Sequence, residues 1–149
     1  MRYVLGIDIG TTSVKCVLLS EEGKLVGEAA VPHDLVCLHP GWAEEDAKLW
    51  WHHTQNCLLE FKEKMPREMA GVAAIGVSGM VPAIVLLDGD GAPLRNTIQQ
   101  NDARAAPQIE RLQGLLDQNE LLARTGTKTN QQHVLPRLLW VKENEPAVF

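Results

Sequence analysis

With 149 residues, of which 45% are hydrophobic, the chain is long enough to form one domain with a buried core. Its net charge of −5 gives no basic surface of the kind that binds nucleic acid, so no nucleic-acid partner is expected. No apolar run approaches the roughly eighteen residues of a membrane span, and the N-terminus runs into a strand without a secretory signal. These features predict a cytoplasmic protein with no membrane partner.

The three cysteines are odd in number and show no Cys-x-x-Cys spacing. This pattern predicts neither a disulfide framework nor a zinc site. We interpret Cys16, Cys37 and Cys57 as reduced side chains that behave as small hydrophobic residues.

The first predicted element is a hairpin. Apolar and β-branched residues fill positions 4–9 and 14–19, and a polar corner separates them at residues 10–13. Gly10 has no Cβ, so the backbone can approach a bulky ligand there, and successive N–H groups of such a corner can bind an anion. The other corner residues carry hydroxyl groups that suit phosphate oxygens: Thr11, Thr12 and Ser13. The corner is therefore a candidate phosphate-binding turn.

Asp8, near the end of the first strand, brings a carboxylate close to this corner. A Mg²⁺ ion that bridges phosphate groups takes a hard oxygen ligand, or a water held by one. A charge in an otherwise apolar strand is costly unless it has such a use. Lys15 on the return strand can add a positive charge. The alternative is a plain surface hairpin in which glycine and threonine only form the turn.

The pattern of strand, Asp8-x-Gly10-Thr11-Thr12-Ser13 and strand, with Lys15 downstream, resembles the first phosphate motif of the actin-like ATPase superfamily. Within that superfamily the chain is similar to the FGGY carbohydrate kinases, in particular to xylulokinase-like members. The resemblance implies an α/β fold of the ribonuclease H-like (actin-like ATPase) type. Such a fold has a mixed sheet that begins with an antiparallel three-strand meander, and helices flank it. Residues 25–31 supply the predicted third strand.

A helix is predicted from the acidic residues 44–46, which suit the positive end of a helix dipole, to residues 62–64 ahead of Pro66. Its apolar side chains recur at spacings of three and four, which is typical of a core-facing stripe rather than of a sugar-stacking surface. The stripe consists of Ala47, Trp50, Trp51, Thr54, Cys57, Leu58 and Phe61.

The segment that leads into this helix also supports the resemblance. Residues 39–46, followed by Trp50 and Trp51, are similar to the Pro-x-Trp-x-Glu-x-Asp and Trp-Trp segment of FGGY kinases. His33 and His39, in the irregular stretch around it, have no partner at metal-ligand spacing. We therefore interpret both as solvated loop histidines.

Residues 72–78 form a continuous apolar run, which is typical of a strand buried on both faces of a parallel sheet. A further strand is predicted at residues 83–88, before a turn at residues 88–91. Ligands of open α/β sheets collect at the carboxyl ends of strands, so the residues after the run should face the binding crevice. This stretch resembles the Gly-Gln-Met-His-Gly segment with which xylulokinase-like proteins contact the sugar. The resemblance makes three residues substrate-binding candidates: Ser78, Met80 and Val81.

The next polar stretch includes Asn101 and Asp102, which can cap the helix that runs through residues 109–116. Its FGGY counterpart is similar to Leu-Trp-Asn-Asp-x-Arg, in which the tryptophan and the following polar residues line the sugar pocket. Gln100 stands where that tryptophan would be, so an amide that donates and accepts replaces a stacking surface. By this resemblance Gln100, Asn101 and Asp102 are substrate-binding candidates.

A short helix is predicted at residues 117–125, and a polar loop follows at residues 127–132. The last helix is predicted at residues 133–142, where Arg137 stands for the lysine of the family's Lys-Leu-Leu-Trp segment. By the same resemblance, Gln132 falls where polyol kinases place a substrate-contacting aromatic residue.

The resemblance implies an ATP-dependent kinase that phosphorylates a ketose such as xylulose, or a related polyol, with ATP and Mg²⁺ as cofactors. Family members are far longer than this chain. Their catalytic aspartate lies in the second half of the first domain, and their adenine pocket lies in a second domain. Residues 1–149 are therefore expected to be the N-terminal portion of an FGGY first domain, an incomplete domain that is inactive alone, and no catalytic base is assigned.

Two alternatives stay open. The chain could be a noncatalytic actin-like module that binds nucleotide, or a truncated pseudo-kinase that binds sugar without turnover. Truncation would expose the apolar faces of residues 72–78 and of the last helix, so we expect either a homodimer through that surface or a larger molecule.

Overall fold

The computed structural model describes residues 1–149 and divides into two compact units. The first unit comprises Met1–Leu35 and Ala47–Met80, and the second comprises Val36–Asp46 and Val81–Phe149. None of the helices combines the length and the apolar character that crossing a membrane requires.

Four strands come first along the chain, and two helices, two strands and three helices follow. The strands are β1 (Tyr3–Ile9), β2 (Ser13–Ser20), β3 (Leu25–Pro32), β4 (Glu44–Glu45), β5 (Val72–Gly79) and β6 (Thr97–Ile98). The helices are α1 (Ala47–Lys64), α2 (Pro66–Ala70), α3 (Ala106–Leu115), α4 (Gln118–Thr125) and α5 (Val134–Asn144).

The first unit is built on a four-stranded sheet with the order β3-β2-β1-β5. β1 pairs antiparallel with β2, and β2 with β3, which confirms the predicted meander. β1 also pairs parallel with β5, so the sheet is mixed. The register places Asp8 of β1 between Lys15 of β2 and Ser78 of β5. These three candidate residues therefore lie in one row across the sheet.

One face of this sheet packs against α1. Alternate residues of β2 are buried, as the two-residue period of a strand requires: Val14, Cys16 and Leu18. α1 contributes buried side chains at spacings of three and four: Thr54, Cys57 and Phe61. Trp51, which was predicted in the same stripe, is 64% exposed. The predicted stripe was too wide, because only the row of α1 that faces the sheet is covered.

β5 lies at the edge of the sheet, and the prediction that it is buried on both faces is wrong. Ile75 is 63% exposed and Val77 is 68% exposed. β1 is the only strand that pairs with β5, so both faces and one edge of β5 stay open. An apolar run indicates that a strand is suited to burial, whereas actual burial requires other elements that pack on both faces of the strand.

The second unit contains the two-stranded sheet of β4 and β6, and its core consists of Ile84, Ile98, Ala105, Trp140 and Val141. The prediction that the helix begins at Glu44 is wrong, because Glu44 and Glu45 are buried and pair with Ile98 and Thr97. The predicted strand at residues 83–88 is reduced to isolated bridges at Ile84 and Leu87.

The helix ends of the second unit show which local signals are strong. α4 is capped by Asp117, whose carboxylate accepts from two backbone N–H groups, and its last residue is followed by Gly126 with a φ of 79°. The predicted short helix is thus confirmed. α3 begins at Ala106 after an N-cap residue without a side-chain hydrogen bond. The predicted capping by Asn101 or Asp102 is therefore wrong.

Candidate functional site

The candidate phosphate-binding residues of the first unit surround the turn of residues 10–13, hereafter the Gly10 turn. The Gly10 N–H donates to the Ser13 carbonyl oxygen over 3.0 Å. A Cβ built on Gly10 would lie 3.1 Å from that oxygen and 3.7 Å from Oδ2 of Asp8. A residue with a Cβ would therefore lie too close to the Ser13 carbonyl oxygen and would contact the Asp8 carboxylate. Thr11, Thr12 and Ser13 complete the turn, with Thr12 exposed and its neighbours half-buried.

An open cavity of about 460 Å³ lies beside the same hairpin. Asp8, Lys15 and Ser78 line it together with residues of β1, β2 and β5: Gly6, Ile7, Val17, Gly76 and Val77. The side chains of Asp8 and Lys15 are exposed, so both charges can reach a ligand. An oxygen ligand, an ammonium group and a hydroxyl-bearing turn thus occupy one side of the first unit.

Met80 joins the strand end to the Gly10 turn. Its N–H donates to the Ile9 carbonyl oxygen over 3.0 Å, and the Thr11 hydroxyl donates to its sulfur over 3.8 Å. The structure therefore brings Met80 and Ser78, both predicted to bind substrate, next to the candidate phosphate-binding residues. All eight candidates of the first unit lie in this region.

His33 also contacts the Gly10 turn, and the interpretation of His33 as a solvated loop residue is wrong. Its ring Nε2 lies 3.1 Å from the Gly10 carbonyl oxygen, and its backbone N–H donates to the Thr12 carbonyl oxygen over 3.0 Å. Its ring also stacks on His53, with 5.5 Å between the ring centroids. A single loop histidine gives no sequence signal for such a contact.

In the second unit, the remaining substrate-binding candidates lie on three segments, residues 81–82, 100–102 and 131–132, hereafter the candidate sugar segments. Val81, Asn101 and Gln132 are exposed, and Gln100 is half-buried. The Val81–Pro82 peptide bond is cis. Side chains that reach solvent are thus available on all three segments.

Asp102 differs from these candidates because it is only 1% exposed. Its Oδ2 accepts from the Ala43 N–H over 2.6 Å, and its Oδ1 accepts from the Arg104 N–H over 2.9 Å. The Arg104 guanidinium donates to the same carboxylate, with a shortest distance of 2.8 Å. The carboxylate is therefore occupied by protein donors and fixes the backbone on which Asn101 and Gln100 are carried.

Arg104 connects Asp102 to a wider buried network that the sequence analysis did not assign. Its Nη1 lies 2.6 Å from Oε1 of Glu44, and its guanidinium lies over the Trp42 ring, 3.7 Å from the ring centroid. Glu44 also pairs with Arg95 at 2.5 Å. Trp42, Glu44 and Arg104 belong to the two segments that carry the family resemblance, which was the available signal.

No group of three or more His, Cys, Asp or Glu side chains is arranged to hold a metal ion. Asp8 can offer one carboxylate, either directly or through a water. This arrangement fits Mg²⁺, which keeps several waters and takes most of its other ligands from phosphate oxygens.

The sequence matches the FGGY family of carbohydrate kinases, N-terminal domain, over residues 3–149. The chain belongs to the FGGY family of carbohydrate kinases. This FGGY chain is 35% identical to a xylulose kinase of Bacillus subtilis (strain 168) over 149 residues, which are 100% of the chain and 30% of that relative. It thus spans about 30% of the length of the curated relatives it matches.

Solved structures give the same family. The xylulose kinase from Rhodospirillum rubrum superposes with a TM-score of 0.95 at 42% identity, covering 99% of the FGGY chain and 30% of that protein. Plasmodium falciparum glycerol kinase with ADP superposes with a TM-score of 0.90 at 26% identity, with coverages of 99% and 30%. These neighbours are sugar kinases of the actin-like ATPase fold, which confirms the predicted fold class.

Proposed function

We propose that the protein acts in the ATP-dependent phosphorylation of a sugar, either a ketose such as xylulose or a related polyol. Residues 1–149 would form the N-terminal portion of the first domain of the kinase. Similarity to xylulose kinases supports a ketose as the acceptor, and similarity to a glycerol kinase supports a polyol as the alternative acceptor. The catalytic base would lie in the part of the complete enzyme beyond the Lys-Leu-Leu-Trp-like segment.

The observation that carries the proposal is the position of the Asp8 carboxylate against the Gly10 turn. ATP with Mg²⁺ supplies the transferable γ-phosphoryl group. N–H and hydroxyl groups of residues 10–13 would bind phosphate oxygens, and Lys15 would add a positive charge. Asp8 would hold Mg²⁺ through a water. Donors held in fixed positions would thus stabilise the negative charge of the transferred phosphoryl group, and such electrostatic stabilisation is the main source of catalysis in phosphoryl transfer.

The acceptor sugar would be held by polar and apolar side chains outside the Gly10 turn. Sugar hydroxyl groups both donate and accept, which suits amides and hydroxyls. In the second unit, direct contacts would come from Val81, Gln100, Asn101 and Gln132, and in the first unit the candidate residues are Ser78 and Met80. Asp102 would contribute to sugar binding by fixing the backbone of its segment, because its carboxylate is enclosed by Ala43 and Arg104.

Isothermal titration calorimetry with ketoses and polyols, with and without Mg-ATP, tests the proposal. We expect heat from one class of sugar without nucleotide, heat from ATP only when Mg²⁺ is present, and sugar-dependent ADP formation by the complete enzyme. Nucleotide binding without any sugar binding would instead favour the noncatalytic module. Sugar binding without turnover by the complete enzyme would favour a pseudo-kinase.

A further inference from the structure

The guanidinium group of Arg137 lies at the start of α5 and joins three separate stretches of chain. Arg137 is 1% exposed. Its Nη1 donates to the Pro82 carbonyl oxygen over 3.3 Å. Its Nη2 donates to the carbonyl oxygens of Gln100 and Gln131 over 3.0 Å and 2.7 Å. The acceptors are thus backbone carbonyls of residues far apart in sequence.

Each of these carbonyls belongs to one of the three candidate sugar segments. Pro82 follows Val81, and Gln131 precedes Gln132, while Gln100 is itself a candidate. A further hydrogen bond, 3.1 Å from Nε2 of Gln131 to the Asp102 carbonyl oxygen, links two of the segments directly. One side chain therefore sets the relative positions of the backbones that carry the candidate sugar contacts of the second unit.

The chemistry of arginine explains why one residue can do this. A guanidinium carries five N–H donors in a planar fork, so it can address several acceptors in fixed directions. Burial lowers the pKa of Arg137, and the charge of Asp102 partly opposes that shift. A buried cation is costly, and carbonyl dipoles compensate for only part of that cost.

We infer that Arg137 is the positioning residue of the candidate sugar segments and thereby controls sugar affinity without touching the sugar. The inference rests on the proposed function, in which these segments bind the acceptor. Removal of the fork would free three backbone carbonyls and let Gln100, Asn101 and Gln132 move independently. The loss should then appear in sugar binding and leave nucleotide binding unchanged.

The test compares Arg137→Met and Arg137→Lys in the complete enzyme. Methionine keeps the length of the side chain but removes all its donors. Lysine keeps the charge but replaces the planar fork with a single ammonium group. The matched control is Arg111→Met, because Arg111 is an exposed arginine that pairs with Glu143. Steady-state kinetics would give KM for sugar and for ATP, and hydrogen–deuterium exchange would report on the segments.

For Arg137→Met we expect the sugar KM to rise by about tenfold or more, with the ATP KM within about twofold of the wild type. Arg137→Lys should recover part of the sugar affinity. Exchange should accelerate at residues 83–84, 99–103 and 130–133, and not in α4. Arg111→Met should change none of these. If Arg137→Met does not fold, Arg137→Lys tests the inference by itself. We then expect its sugar KM to be about threefold or more above that of the wild type.

The inference is overturned if the sugar KM of both variants equals that of the wild type, or if sugar and ATP KM rise together. It is also overturned if exchange accelerates throughout the second unit rather than at the three segments. A wild-type enzyme that shows no sugar-dependent turnover overturns the proposed function, and the inference with it. Normal wild-type turnover with an unchanged sugar KM in both Arg137 variants overturns the inference alone.

Discussion

The ring Nε2 of His33 lies 3.1 Å from the carbonyl oxygen of Gly10. A carbonyl oxygen only accepts hydrogen bonds, so Nε2 carries the proton in this pair. The backbone N–H of His33 donates to the Thr12 carbonyl oxygen as well. A residue that follows β3 therefore holds the turn between β1 and β2 at two points.

Replacing His33 with alanine should weaken nucleotide binding. The ring contributes one hydrogen bond to the Gly10 turn, whose loss is worth about 1 kcal/mol, so we expect the ATP KM of the complete enzyme to rise by about fivefold. The sugar KM should not change. His52→Ala serves as the control, because His52 is exposed and its side chain makes no hydrogen bond to the turn. Equal ATP KM values for the two variants would contradict the role of His33.

Replacing Asp8 with alanine should abolish turnover and leave sugar affinity nearly intact. Only metal and phosphate binding would be disturbed, so we expect kcat to fall by at least about 100-fold. Asp34→Ala, which removes an exposed carboxylate of the same unit, is the matched control. Steady-state assays of ADP formation measure kcat, and isothermal titration calorimetry measures sugar binding. Loss of sugar binding with turnover preserved would show that Asp8 has a different role.

His53 should make the stability of the first unit depend on pH. Burial lowers its pKa below the usual 6.5, and the neighbouring His33 and His52 lower it further. The contribution of neutral His53 to the free energy of unfolding is complete above about pH 6.5. It is lost as the pH falls toward the folded-state pKa, because His53 of the unfolded chain is protonated at a higher pH than His53 of the folded chain.

We therefore expect Tm to decrease between about pH 7.5 and about pH 5.5, and His53→Asn to reduce that decrease. Thermal denaturation followed by circular dichroism measures both. An identical pH dependence in His53→Asn would rule out His53 as the source.

Replacing Gln99 with leucine should stabilise the protein. Gln99 is 0% exposed, and neither its Oε1 nor its Nε2 has a hydrogen-bond partner. A buried amide without partners costs about 1–3 kcal/mol, and leucine removes that cost at similar volume. Urea denaturation measures the free energy of unfolding. Gln113→Leu, which removes a 2.8 Å hydrogen bond to the Thr129 carbonyl oxygen, should instead destabilise slightly. A destabilised Gln99→Leu variant would be incompatible with an unpaired amide.

The three thiols should differ in reactivity. Burial, and then the neighbouring Cys57, raise the pKa of Cys16 to about 12, and burial raises that of Cys57. Cys37 is exposed, in contrast to the sequence interpretation of all three as small hydrophobic residues. We expect iodoacetamide at about pH 8 to modify only Cys37 in the folded protein, with all three modified in urea. Mass spectrometry of tryptic peptides identifies the sites, and rapid modification of Cys16 would contradict its burial.

Local patterns were sufficient for several parts of this protein. The alternating apolar residues of β2 and the glycine corner specified the first hairpin, because both signals act between residues close in sequence. Asp117 and Gly126 likewise fixed the ends of α4 through their own side-chain and backbone preferences. The motifs around Gly10, Trp42 and Asp102 were also enough to indicate the FGGY family, which the family match confirms.

Other features were decided only by the tertiary structure. Glu44 suits the start of a helix, yet it joins a strand because β6 and Arg95 supply its partners. The sequence makes Asp102 a candidate helix cap or sugar ligand, whereas in the structure its carboxylate accepts from the backbone N–H groups of Ala43 and Arg104. The contacts of His33 and Arg137 likewise depend on backbone atoms far away in sequence. Sequence thus determined what each segment prefers, whereas the folded chain determined which preferences find a partner, because hydrogen bonding and burial need groups that only folding brings together.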